Sequence, residues 1–199
     1  MDISAAVVKD LREKTGVGMM ECKSALVEAG GDVAEAEKVL RKRGVTAAAK
    51  KAGRATGEGA VASYIHTGGK IGVLVEVNCE TDFAARSDDF QALVHNIAMH
   101  VAAASPRFVR REDVDGKTLA DEREIAQDQA AKTGKPPQVI EKIVEGKIEK
   151  FYAENCLLEQ PFVKDPDKTV GQLVTGAVSR IGENIQVRRF ARFLLGENV

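Results

Sequence analysis

The residues of this chain that could do chemistry fall into three groups: three histidines, three cysteines, and one run of hydroxyl, carboxylate and aromatic ring. His66, His95 and His100 have no Cys or Ser beside them in a nucleophile motif. His95 and His100 lie five apart, on different sides of a helix, so they are not expected to share a metal. Cys22, Cys79 and Cys156 are odd in number, far apart and without metal-ligand spacing. They read as core filler in a reducing cytoplasm. Gly68-Gly69-Lys70 is a turn rather than a phosphate-cradling loop. No metal, cofactor or bond-making chemistry is expected from these groups. Thr81-Asp82-Phe83 differs in kind, because a short anchored loop can push a carboxylate and a ring into another molecule at little entropic cost.

Two elements must position that run. Ile71, Val73, Val75, Val77 and Cys79 recur at every second residue, the period of a strand with one buried face. The alternation stops at Glu80. Ser87 then offers an N-cap for a helix beginning near Asp88, with acidic residues in its first turn. Thr81-Asp82-Phe83 therefore sits on a short strand-to-helix connection held at both ends. The competing reading folds Phe83 back onto its own core and leaves Asp82 as a cap.

Around this centre the spacing predicts an α+β chain. Residues 3–44 read as three short helices, with stripes through Val7, Val8 and Leu11, then Met19, Cys22, Ala25 and Leu26, then Val33, Ala36, Val39 and Leu40. Gly30-Gly31 stop the second helix, and Asp32 with Glu35 makes a capping-box pattern for the third, which runs to Gly44. Met20 falls off the stripe beside Met19, so at least one of the two meets solvent or a partner. Residues 45–58 read as a basic, glycine-bearing linker. Residues 1–55 are thus a three-helix docking module plus linker, and 56–199 an α+β core with a small antiparallel sheet and several helices.

Within that core, Ala60 to His66 and Lys70 to Asn78 form a hairpin. Helices are expected over 88–104, 119–132, 138–155 and 169–181, and Pro161 to Asp167 reads as a loop. The last strand, Ile185 to Leu195, carries apolar side chains on both faces, including Phe190, Phe193, Leu194 and Leu195. Such a strand must be covered on both faces, by the chain's own helices or by a second copy. A self-complementary homodimer through the core is expected.

Composition narrows the function classes. Of 199 residues, 44% are hydrophobic and 30% charged, and the net charge is −1, which argues against general polyanion binding. With no Trp and two Tyr, stacking platforms for nucleic acid are scarce. No apolar run approaches the roughly 20 residues of a membrane span. Met1-Asp2-Ile3-Ser4 does not open a signal peptide.

Four stretches carry a family likeness, in order and over nearly the whole chain. The run from Leu11 through Thr15-Gly16-Val17-Gly18-Met19-Met20 to Leu26 strongly resembles the N-terminal module of the bacterial elongation factor Ts family. Val75 to Phe83 resembles its second signature, and Gln160 to Asp165 and Ile181-Gly182-Glu183-Asn184-Ile185 are also similar to it. The family's Thr-Asp-Phe-Val ends here in Ala84. The resemblance implies a short-form guanine nucleotide exchange factor that binds GDP-bound elongation factor Tu and promotes GDP release. It implies an N-terminal bundle like a ubiquitin-associated domain. It assigns Thr81, Asp82, Phe83 and Ala84 to partner binding and magnesium dislocation, and Arg12, Met19 and Met20 to partner binding by the N-terminal module. An alternative from a different class is a binding module whose bundle tethers the core to another client.

Overall fold

The computed structural model describes residues 3–197; Met1 and Asp2, and the last two residues of the expected 56–199 core, lie outside them. The three N-terminal helices are α1 (Ala5–Thr15), α2 (Met19–Glu28) and α3 (Val33–Lys51). Ser4 caps α1 by accepting from the Val7 N–H, and Asp32 caps α3 by accepting from the Glu35 N–H at 2.9 Å. Gly16 closes α1 in the left-handed region, where a side chain would be strained. Val8, Leu11, Val17, Cys22, Ala25, Leu26, Ala36 and Leu40 are buried together, with Val7, Val33 and Val39 at the edge. Met19 leaves the expected stripe and is exposed, because it opens α2 before the helix turns its apolar side inward.

The third helix does not stop at Gly44 but continues to Lys51. Glycine inside a helix costs only about 1 kcal/mol relative to alanine. Here it is buried, and a Cβ on it would stand 3.6 Å from Ser179. The Ala-rich run behind it then propagates the helix. Lys50 and Lys51 fall in the last turn, where cations complement the helix dipole.

After α3 come β1 (Glu58–Ile65), β2 (Ile71–Cys79), α4 (Asp82–Arg86), α5 (Asp88–Ala104), α6 (Gly116–Ala131), α7 (Pro137–Asn155), β3 (Pro161–Phe162), β4 (Asp165–Thr169), α8 (Val170–Ile181) and β5 (Gln186–Leu194). The fold is α+β, with a three-stranded antiparallel sheet in the order β1-β2-β5. Gly59 lies at φ +147°, and a Cβ there would meet the Val77 carbonyl oxygen at 2.2 Å, so the two strands meet too closely for any larger residue. The expected loop at 161–167 is instead a second small sheet, with Pro161 opposite Thr169 and Phe162 opposite Asp165. Its prolines and charges hide it from a strand reading; Pro166 sits where a two-stranded ribbon leaves an edge free.

Contacts divide the chain into two compact units. One comprises the described residues through Val61 with Glu76–Val94 and Leu173–Val187. The other comprises Ala62–Val75, His95–Gln172 and the described residues from Arg188 onward. Within the second, α6 packs on α7, and Ala126, Ala130, Ile148 and Phe151 are buried. His100 is fully buried there, with Nε2 2.9 Å from Gln160 Oε1 and Nδ1 accepting from the Val163 N–H at 3.3 Å. Along β5, exposure falls on the adjacent residues Arg188 and Arg189, so the alternation changes phase. Phe190 is half-buried, while Phe193, Leu194 and Leu195 are exposed.

Candidate partner-docking site

The site lies within the first unit and begins where β2 ends. Val77 and Cys79 are buried, so the strand delivers its last residue with a fixed side-chain direction. The Cys79 thiol donates to the Thr81 carbonyl at 3.2 Å. Burial, and then the charge of Glu183, push this thiol above its ordinary pKa, so it stays protonated and able to donate.

The run beyond Glu80 is not an open loop but a five-residue helix, α4, that starts at Asp82. Thr81 is its N-cap: Oγ1 accepts from the Ala84 N–H at 3.2 Å. A hydroxyl cap of this kind is worth about 0.5–2 kcal/mol. Ser87 then caps α5 by accepting from the Phe90 N–H, as the sequence predicts, while its own hydroxyl donates to the Ala84 carbonyl at 2.7 Å.

Alternate faces of this short helix go opposite ways. Ala84 and Ala85 are buried. Phe83 is 81% exposed, the most exposed large apolar side chain among the described residues, so the reading that folds it back onto its own core fails. Asp82 is not the cap; its carboxylate takes the Arg86 guanidinium at 2.7 Å, one turn on. Exposed pairs at this spacing contribute only about 0.3–0.5 kcal/mol, so Asp82 can exchange Arg86 for another partner at small cost.

What holds α4 from behind comes from far along the chain. Gly182, at φ +87°, makes a turn after α8 that only glycine adopts easily, and Glu183 follows it. The Glu183 carboxylate accepts three hydrogen bonds: from the Glu80 N–H at 3.1 Å, the Thr81 N–H at 3.0 Å and the Thr81 hydroxyl at 2.6 Å. The lock is reciprocal, because the Asn184 N–H donates to Glu80 Oε1 at 2.6 Å. The buried Asn184 side chain donates to the carbonyls of Ala52 and Arg54, at 3.3 and 2.8 Å. Arg54 in turn reaches Glu80 Oε1 at 3.4 Å. Sequence reading assigned no role to Glu80, Glu183 or Asn184, and placed Arg54 on the solvated face of a basic linker. No local spacing signals a contact between residues a hundred positions apart, and only the Ile181-Gly182-Glu183-Asn184-Ile185 run stood out.

In the helical bundle Arg12 is exposed on α1, and Met19 and Met20, at the start of α2, are 42% and 75% exposed. Among the described residues no three His, Cys, Asp or Glu side chains gather to hold a metal, and no helix is long and apolar enough to cross a membrane.

The fold and the site define an α+β protein with an N-terminal helical bundle and an exposed phenylalanine on a braced helix. The family model described as Elongation factor TS matches residues 5–197. The chain is 65% identical over 198 residues to "Elongation factor Ts" of Anaeromyxobacter dehalogenans (strain 2CP-1), covering 100% of this chain and 90% of the relative. It is 63% identical over 199 residues to that of Geobacter sulfurreducens, covering 100% and 92%. It is 58% identical over 198 residues to that of Desulforamulus reducens, covering 100% and 91%. The chain belongs to the elongation factor Ts family, whose general role is that of an exchange factor of translation elongation rather than a bond-making enzyme.

Proposed function

We propose that this protein binds GDP-bound elongation factor Tu and speeds GDP release by inserting Asp82 and Phe83 near the magnesium site of the GTPase. The observation that carries this is the exposure of Phe83 at the tip of a helix braced from behind. An exposed ring on a rigid support gains on contact what it lacks in water: fully burying such a side chain is worth about 1.5–3 kcal/mol. Because Thr81, Ala84 and Ser87 already fix the backbone, little ordering entropy opposes the contact.

Asp82 then acts by charge. Magnesium neutralises much of the diphosphate's charge, and a carboxylate that disturbs the ion's surroundings weakens nucleotide binding. Thr81 and Ala84 keep the pair aimed, one as cap and one as the buried underside of α4. Arg12, Met19 and Met20 grip the same GTPase through the bundle, and residues 1–55 serve as the docking module. Two adjacent methionines suit such a grip because their thioethers adapt to the surface they meet. The antagonism between factor and nucleotide follows from linkage: a factor that lowers nucleotide affinity is bound less tightly, by the same ratio, when nucleotide is present. Exchange needs no more than that.

The protein works in the cytoplasm on another protein, not on nucleic acid, in keeping with its net charge of −1. It does so as a homodimer. Ile65, Leu74, Phe193 and Leu195 are exposed, and Ile65 lies over Gly72, where a Cβ would stand 3.2 Å from its Cδ1. The Leu195 N–H donates to the Lys70 carbonyl, which brings the end of the last strand beside the start of β2. An apolar sheet face of this kind is what a second copy would cover. The test of the exchange reading is release of fluorescent GDP from elongation factor Tu on mixing with this protein.

A further inference from the structure

We infer that Glu183 is a positioning residue of the exchange site, which sets the Asp82-Phe83 helix in its working place before any partner is met. Its carboxylate touches both residues preceding α4, through two backbone N–H groups and one hydroxyl. Hydrogen bonds to an ionised acceptor are the strong kind, and removing the acceptor strands three donors at once. The Thr81 hydroxyl has two tasks that depend on one rotamer. It donates its hydrogen to Glu183 and, through an oxygen lone pair, accepts from the Ala84 N–H to cap α4. Glu183 therefore selects the Thr81 rotamer that starts the helix, and Phe83 follows two residues later. Asn184, tied to Glu80 and to the carbonyls of Ala52 and Arg54, holds the segment that carries Glu183. Glu183 itself need not touch the GTPase.

The functional arm rests on the exchange reading above; the structural arm does not. Amide hydrogen exchange by NMR on the free full-length protein, compared for wild type, Glu183→Ala and Glu183→Gln, reads the positioning directly. Protection of the Glu80 and Thr81 amides should fall about tenfold or more in Glu183→Ala, as expected for losing a charge-assisted bond. It should stay largely intact in Glu183→Gln, whose side-chain oxygen still accepts. In the GDP-release assay the rate at saturating factor should fall about tenfold for Glu183→Ala, with a much smaller change in the half-saturating concentration and recovery in Glu183→Gln. Unchanged protection at Glu80 and Thr81, in an alanine variant that melts like wild type, overturns the inference. A loss confined to the half-saturating concentration overturns it too, because it would make Glu183 a binding contact. Wild type that fails to release GDP sinks the exchange reading alone, and the amide protection still decides the positioning.

Discussion

The Glu183 carboxylate and the Thr81 hydroxyl meet at 2.6 Å although 102 residues separate them in the chain. This bond ties the turn after α8 to the cap of α4, and so to the direction of Phe83. It explains how a five-residue helix, far below the length at which helices are stable alone, holds its place. It also accounts for an exposed phenylalanine on a rigid support, which a protein would otherwise bury or leave on a mobile loop.

Asp82→Ala should make exchange more sensitive to magnesium. The variant loses the carboxylate proposed to disturb the ion, and loses only a surface pair with Arg86, worth about 0.3–0.5 kcal/mol, so its melting should barely change. Titrating magnesium into the exchange assay checks it: the variant should be inhibited at lower magnesium than wild type. Identical titration curves would remove Asp82 from the mechanism.

Met20→Ala should weaken binding to elongation factor Tu by about 1 kcal/mol or more, with the rate at saturation nearly unchanged. The side chain is 75% exposed, so its loss leaves no cavity in the bundle core. Deleting residues 1–55 should enlarge the same defect. That deletion also removes the Ala52 and Arg54 carbonyls that hold Asn184, so some loss of rate should accompany it. Calorimetric titration that finds wild-type affinity in both variants would contradict the docking role.

Acid should destabilise the fold through His100. Burial lowers its pKa from the ordinary 6.5, against a smaller opposing effect of Gln160. Between that lowered value and 6.5 the unfolded chain takes up a proton that the folded one refuses. Stability is therefore full above 6.5 and is lost as pH falls below it, levelling once the folded pKa is passed. Urea melts of wild type and His100→Asn from pH 7.5 down to 5 should show the variant less stable at neutral pH but with a shallower decline. Parallel declines would remove His100 as the cause.

Sedimentation equilibrium at micromolar concentration should give about twice the monomer mass of 21.4 kDa. Phe193→Asp should return it to the monomer, because the ring is 61% exposed in the single chain and a charge there cannot be buried unpaired. A wild-type mass near the monomer value with no concentration dependence would end the dimer proposal.

Much of the fold was legible because it rests on period. Val73, Val75, Val77 and Cys79 alternate in the sequence and are all buried in the structure. Asp32 and Ser87 read as caps because a short polar side chain before an apolar stripe has one local use, and each accepts the expected N–H. The errors arose where tertiary contacts override local signals. Gly44 looked like a stop and lies inside α3 beside Ser179. Asp82–Arg86 is too short to show a helical period, and its cap, Thr81, depends on Glu183. The β3–β4 ribbon carries Pro and Asp where strands carry β-branched residues. The brace itself left no trace in spacing, since hydrogen bonds between distant residues have no period.

The central claim is that Phe83 acts as a wedge, and release of fluorescent GDP from elongation factor Tu at saturating factor tests it most directly. Wild type should accelerate release strongly. Phe83→Ala should lose about 2 kcal/mol or more of that effect, roughly a thirtyfold slower rate, while still binding. Its fold should survive, since an exposed ring contributes little to the core. A Phe83→Ala protein that releases GDP as fast as wild type at saturation would contradict the account.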